Sequence, residues 1–345
     1  MHRNQLDKIR ILAALVVIFS HHYPLTGNTP PAWLETPWLN WSMMGGIGVM
    51  VFFCISGYLV TQSWYRQPEF FPFLWKRVLR LWPGMLGSVL CGVFLFGLLS
   101  RSQSLAEYLQ STATWHFLWI NLTLIQEYGT IPGAFVKTPN PGAVNGVYWT
   151  IPMEFICYLI LAGLGLAGIL RKTVLFKILL LIYIASFLWF ENSDITGRIN
   201  HWVEYPAFFA SGALIALHQE WFRLHGGKLL FYITPLLAAI YFLTPYTGTS
   251  RFFLLSPLII YLGNLPAKEN WLSRLGDPSY GIYLYGYPIA QSVETLWPDM
   301  RFLPSLLLTF AFSICAGYAS WLLLESRALR WKNNYPNSKK LVNQN

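Results

Sequence analysis

An all-α, polytopic membrane bundle is the fold this chain predicts, and three observations carry it. Only 11% of the 345 residues are charged and 54% are hydrophobic, against roughly 25% charged in an ordinary soluble protein. Apolar runs close to the roughly 20 residues needed to cross a bilayer recur along the whole chain. Sorting the 24 Lys and Arg residues into alternate loops puts nineteen on the side of the N-terminus and five on the other. That positive-inside bias predicts an even number of spans with both termini cytoplasmic. The net charge of +9 then follows from topology and anionic lipid, and calls for no nucleic acid. The 16 Trp and 19 Tyr suit the boundary between headgroups and hydrocarbon.

Runs bounded by Pro, Gly and charge mark about ten transmembrane helices. The first, 8–26, ends in "SHHYPL". It lacks a small-residue cleavage site after it and is expected to be a retained span rather than a signal peptide. The second, 43–65, contains "FFCISGYLV", and the third, 78–99, is entered through "WKRVLRLWP". The segment 100–146 then falls on the outer side, and a connection this long is more often functional than idle. Within it "WHFLWINLTLIQ", 115–126, is too short to cross and is expected to lie at the interface or to re-enter the protein.

The fourth span, 147–170, opens with "VYWTIPMEF". The runs 173–190, 203–217, 229–243 and 252–266 are closed by charge or by Pro. The ninth, 279–297, has the Tyr-rich start "SYGIYLYGYP", with Ser279 at or near its N-cap. The tenth, 303–325, ends in "LLLESR", and 332–345 reads as a basic cytoplasmic tail. The sequence has no fixed-period repeat, so residues 1–345 are expected to form one domain. Cys54, Cys91, Cys157 and Cys315 all sit inside apolar runs without metal-ligand spacing, which predicts packed thiols and no metal site.

Ionisable groups inside spans cost roughly 2.5 to 3.5 kcal/mol on insertion scales, so each needs a reason. Arg10 and His21 are eleven residues apart, which at 100° per residue returns them to one helix face, about 16 Å apart along the axis. His22 points about 100° further round, toward another neighbour. A neutral imidazole is a competent general base near pH 7. The bland alternative for His21 is a hydrogen bond to a loop carbonyl. Arg77 and Arg80 lie on adjacent turns of one face, where two guanidinium forks suit phosphate oxygens; a positive-inside anchor explains them equally well. Glu154, early in its span, must meet a cation, a histidine, a substrate hydroxyl or a proton; an ion pair with another span is the bland alternative. Ser56 and Gly57 fit either a polar contact or close helix packing, and the tyrosines of "SYGIYLYGYP" also fit interface anchoring. No P-loop, GxSxG elbow or HExxH pair is present, which leaves an ATP-driven pump, a serine hydrolase and a zinc protease without support.

Taken in order, these pieces resemble the membrane acyltransferase 3 family, the integral membrane O-acyltransferases of bacterial surface polysaccharides. "LDKIRILAALVVIFSHH" is similar to the family's opening, in which an arginine precedes a histidine with ten residues between. "FFCISGYLV" matches FFxxSGxL, "RVLRLWP" matches its RxxR stretch, and "WTIPMEF" is similar to W-[ST]-[LI]-x-x-E. "SYGIYLYGYP" resembles SYxxYLxHxP, with Gly286 where many members carry histidine, and "LLLESR" resembles the closing Glu-Arg. The resemblance covers about residues 5 to 328.

It implies transfer of an acyl group, usually acetyl from acetyl-CoA, onto a sugar hydroxyl of a polysaccharide or lipid-linked glycan. It also implies a multi-pass protein of the bacterial inner (cytoplasmic) membrane. By that resemblance His21 and Glu154 are the catalytic pair, and Arg10, Arg77 and Arg80 bind the donor. His22, Ser56, Trp149 and Tyr283 support them. Glu154 would orient the imidazole or hold the acceptor, and Arg10 would position the donor or keep the histidine neutral. Acetyl-CoA enters as a substrate, with no permanently bound cofactor. The fused esterase-like domain of some members is not seen, so the membrane domain or a separate partner is expected to complete transfer. Direct transfer and an acyl-histidine both fit, as do other acceptors (peptidoglycan, a glucan, a macrolide) or succinyl-CoA. A non-enzymatic glycolipid transporter is the rival from another class.

Overall fold

The computed structural model describes residues 5–36, 39–191, 200–243, 247–266 and 276–333. Twelve helices follow in chain order: α1 (Leu6–Thr26), α2 (Trp41–Arg66), α3 (Phe70–Cys91), α4 (Leu105–Gln110), α5 (Thr112–Leu122), α6 (Thr150–Leu166), α7 (Thr173–Glu191), α8 (Asn200–Leu217), α9 (Gln219–Leu243), α10 (Thr247–Asn264), α11 (Ser279–Leu296) and α12 (Phe302–Ser320). π-helical turns extend α3 through Gly92–Gly97 and α12 through Trp321–Glu325. Extended pairing among the described residues is confined to a two-residue ladder, Glu35–Thr36 with Leu39–Asn40, and one bridge between Thr130 and Ala143.

The ten expected spans all correspond to helices, and the chain is a polytopic helical membrane protein. Five of the described helices are both long and apolar enough to cross a bilayer: Leu6–Thr26, Met44–Arg66, Phe70–Ser100, Gln219–Leu243 and Phe302–Lys332. Their outward faces carry large bare apolar side chains, such as Phe231 and Leu243 on α9, 75% and 81% exposed. A soluble monomer does not tolerate such surface, whereas lipid covers it. Most of the tail 332–345 and the basic residues Arg3, Arg198, Lys268 and Arg274 lie outside the described residues.

Two boundaries differ most from expectation. Helix α3 starts at Phe70, before the expected 78, because "FFPFLWKR" continues the helix with aromatic and basic residues that an apolarity pattern reads as loop. Helix α9 starts at Gln219, ten residues before 229, since "QEWFRLHGGK" is amphipathic rather than apolar. The short run at 115–126 forms α5, which packs Phe117 against Gly92 of the π turn in α3. Ser279 is the first residue of α11 rather than its cap, and Asp277 accepts its N–H.

Small residues set the inter-helix spacing, as expected where packing rather than water drives association. A Cβ on Gly57 of α2 would stand 2.0 Å from the Phe209 carbonyl oxygen, and one on Gly212 of α8 would stand 2.1 Å from that of Cys54. These reciprocal approaches bring the two backbones into contact. Among the cysteines, Cys54 and Cys157 are buried, Cys91 is half-buried, and Cys315 faces outward on α12, correcting its reading as a packed thiol. All four are free thiols.

Candidate active site

A cavity of about 440 Å³ opens between the ends of α2, α3 and α12 and runs inward between α1, α6 and α11. Arg66, Lys76 and Lys332 stand among its lining residues at those helix ends, and Arg10, Arg77 and Arg80 lie in its walls. The three helix ends come from loops that the charge pattern assigned to one side of the membrane. One acidic side chain, Glu154, joins these six cations in the lining.

Two of the inner arginines are neutralised from behind. Asp277 Oδ2 accepts from Arg10 Nη1 at 2.5 Å and from Arg80 Nη2 at 2.6 Å. Its Oδ1 accepts from the Ser279 hydroxyl at 2.5 Å and the Ser279 N–H at 3.2 Å. Burial alone would raise this carboxyl. Arg10 and Arg80, with the Ser279 bonds, reverse that and hold it down to about 2. Glu325, on the π turn of α12, lies 3.9 Å from Arg80 Nη1 and accepts from Ser320. π turns that redirect a side chain in this way are common at functional sites.

Arg77 differs from Arg80, one turn away. It has no carboxylate within 4 Å among the described residues, and its Nε is buried without a partner. Its contacts are a 3.4 Å hydrogen bond to Ser63 and the faces of Phe73 and Tyr158, at 5.7 and 5.9 Å. A guanidinium that lines a cavity without a directly paired carboxylate, with Glu154 acting on it only at longer range, can receive a further anion.

Glu154 Oε1 accepts from Ser56 at 2.6 Å and from Tyr158 at 2.5 Å, leaving Oε2 with no protein hydrogen bond among the described residues. The hydroxyls of Ser56 and Tyr158 are themselves 2.8 Å apart. The partners found for Glu154 are protein hydroxyls, where the sequence predicts a cation, a histidine, a substrate hydroxyl or a proton.

His21 sits apart. It lines a gap of about 10 Å³ with Val17, Ile18, Val147, Tyr283, Gly286 and Tyr287. Its Nδ1 is 2.9 Å from the Val17 carbonyl oxygen, which can only accept, so Nδ1 carries the proton and Nε2 keeps the lone pair. The bond is to a carbonyl of its own helix, not to a loop carbonyl. Glu154 does not orient the imidazole, since Val17 does. Arg10 and His21 do share a face, both turned to α11, but Arg10 holds Asp277 rather than the histidine.

His22 is fully buried on a different face, with neither ring nitrogen partnered among the described residues and its ring edge-on to Phe302 at 5.1 Å. Trp149, just before α6, packs on His201 and Tyr205 of α8 and is itself a lining residue of neither cavity. Gly286 explains its own identity: a Cβ there would stand 2.4 Å from Ile18 Cγ1, so α1 and α11 meet where a histidine would have to fit.

Sequence reasoning missed Tyr158 and Lys332, which line the cavity, and Asp277, which holds Arg10 and Arg80 behind its wall. The signal for Asp277 was available in "DPSYGIY", where an acid two residues before Ser279 can accept the first free N–H groups of the helix.

The acyltransferase domain family matches residues 3–325 of the chain. The chain is 31% identical to an O-acetyl transferase of Shigella phage Sf6, over 95% of this chain and 97% of that protein. It is 26% identical to nodulation protein 10 of Rhizobium leguminosarum bv. viciae, over 96% and 95% respectively. No solved structure matches it.

Proposed function

The chain belongs to this acyltransferase family and is a membrane O-acetyltransferase, and from that premise we propose that it carries acetyl from cytoplasmic acetyl-CoA to a sugar hydroxyl of a cell-surface or exported polysaccharide. The observation that carries the donor half is Arg77, a guanidinium with no carboxylate within 4 Å among the described residues, inside a cavity lined by six cations and one acid. Phosphates of the donor bind Arg77, with Arg66, Lys76 and Lys332 at the mouth adding attraction. The pantetheine arm extends inward past Glu154, whose free Oε2 accepts an N–H of the arm.

At the far end the acceptor hydroxyl gives its proton to His21 Nε2 as its oxygen attacks the thioester carbonyl. The carbon–sulfur bond breaks, the thiolate leaves, and the imidazolium returns the proton to it. Val17 holds the tautomer this requires. Arg10 and Arg80 shape the cavity through Asp277. The basic mouth supports a bacterial inner-membrane protein with its donor side inward.

The test is donor kinetics on purified protein in detergent, using acetyl-CoA and the thiol it releases. Arg77→Ala is expected to raise the KM for acetyl-CoA by about tenfold or more, the value of one charge-assisted bond, while the protein stays folded. Unchanged donor dependence would reject the phosphate reading.

A further inference from the structure

The donor cavity and the His21 gap do not join. Among the described residues Tyr283 alone lines both, and its hydroxyl is held by Thr150 Oγ1, from the cavity wall, at 2.8 Å and by the carbonyl of Val147, from the gap wall, at 3.1 Å. Phe52, which also lines the cavity, packs edge-on to the Tyr283 ring at 5.5 Å. The gap beyond, about 10 Å³, has room for roughly one water and none for a thioester.

We propose that Tyr283 and Thr150 form a latch between the two compartments, and that the acyl group reaches His21 only when the Tyr283 side chain leaves this seat. The inference rests on the donor reading above. The other walls are poorly suited to yield. Ile18 is jammed against Gly286 along the α1–α11 seam, and the Tyr287 ring is wedged on Gly146. Tyr283 is held by hydrogen bonds to side-chain and backbone oxygens, which exchange readily.

The latch also reaches the loop that the charge pattern places outside. Pro288 has no N–H, which frees the Leu284 carbonyl four residues earlier, and Asn145 donates to that oxygen at 2.8 Å. Asn145 in turn accepts from the Val147 N–H at 3.1 Å, and Gln291 donates to the carbonyls of Asn140 and Ala143 at 2.9 Å. Residues 140–147 are thereby pinned on α11, and Val147 carries both the latch oxygen and a wall of the His21 gap. A glycan pressing on this loop from outside acts directly on the latch, which confines the thioester until an acceptor is present.

With the latch loosened and no glycan added, water takes the acceptor's place: its oxygen attacks the thioester, His21 takes its proton, and acetate and free CoA thiol form. The experiment measures this thiol release from acetyl-CoA alone, with acetyl-CoA binding followed in parallel by thermal stabilisation. Thr150→Val and Tyr283→Phe are expected to raise release by about three- to tenfold, the value of one hydrogen bond. Thr150→Ser is expected to stay at the wild-type rate, and His21→Ala in the Thr150→Val background to abolish the gain. Equal release in all variants that bind acetyl-CoA, or a gain that survives His21→Ala, overturns the latch. Absence of any stabilisation by acetyl-CoA overturns the donor reading, and the latch with it.

Discussion

Arg80 Nη2 lies 2.6 Å from Asp277 Oδ2, and this bond joins the middle of α3 to the start of α11, 197 residues away in sequence. Arg10 from α1 shares the same oxygen, so one carboxylate holds three helices around the cavity. Asp277→Asn leaves Arg10 without its paired carboxylate and Arg80 with Glu325 alone, 3.9 Å away. The expected cost is about 3–5 kcal/mol, as for other broken buried pairs, read as a lower thermal midpoint in detergent.

The same carboxylate fixes an acid limit. Its folded value is depressed to about 2, below the roughly 3.9 of a free aspartate. Its contribution is therefore complete above about pH 4 and is lost as pH falls through the folded value. Thermal midpoints between pH 7 and pH 2 are expected to show this acid limb in the wild type and to lack its Asp277 share in Asp277→Asn.

Much of this arrangement is legible in the sequence, and what is not has physical causes. Apolar runs locate the helices because lipid demands them, and the eleven-residue spacing puts Arg10 and His21 on one face because helix geometry is fixed. The partners of those residues are long-range facts. Asp277 meets Arg10 across 267 positions, and nothing local to either announces the pair. Arg77 and Arg80 look equivalent in "RVLR", yet one is neutralised and the other is not, because only tertiary packing brings Asp277 to one of them. The separation of His21 from Glu154 by Tyr283 was equally hidden, since spacing within a helix says nothing of which neighbour stands between two helices.

Glu154 is held through one oxygen by Ser56 and Tyr158. Tyr158→Phe removes one of these bonds and keeps the ring beside Arg77. Its effect is expected at about two- to tenfold on the KM for acetyl-CoA, with a larger loss for Glu154→Gln, which removes the charge. Steady-state kinetics over a range of acetyl-CoA concentrations separates KM from kcat.

Gly286 meets Ile18 at a distance that admits no side chain. Gly286→His, which would match the histidine of the resembling family, is expected to lose activity and lower the thermal midpoint rather than add a catalytic group, since overpacking of this kind costs about 1–3 kcal/mol or more. Adding Ile18→Ala is expected to recover part of the midpoint.

Close approach of α2 and α8 rests on Gly57 and Gly212. Gly57→Leu is expected to prevent accumulation of folded protein in the membrane, because its side chain would enter the backbone of Phe209. Membrane abundance and elution as a single species in detergent report the outcome.

The central claim is that His21, with Nδ1 on the Val17 carbonyl and Nε2 free, removes the proton from the acceptor hydroxyl. The most direct measurement is the O-acetyl content of surface polysaccharide in cells expressing wild-type protein or His21→Ala at matched membrane abundance. The account predicts a fall in transfer of about 10²–10⁴-fold for the variant, with the acetyl-CoA KM unchanged. Wild-type acetylation by a correctly inserted His21→Ala protein would contradict it.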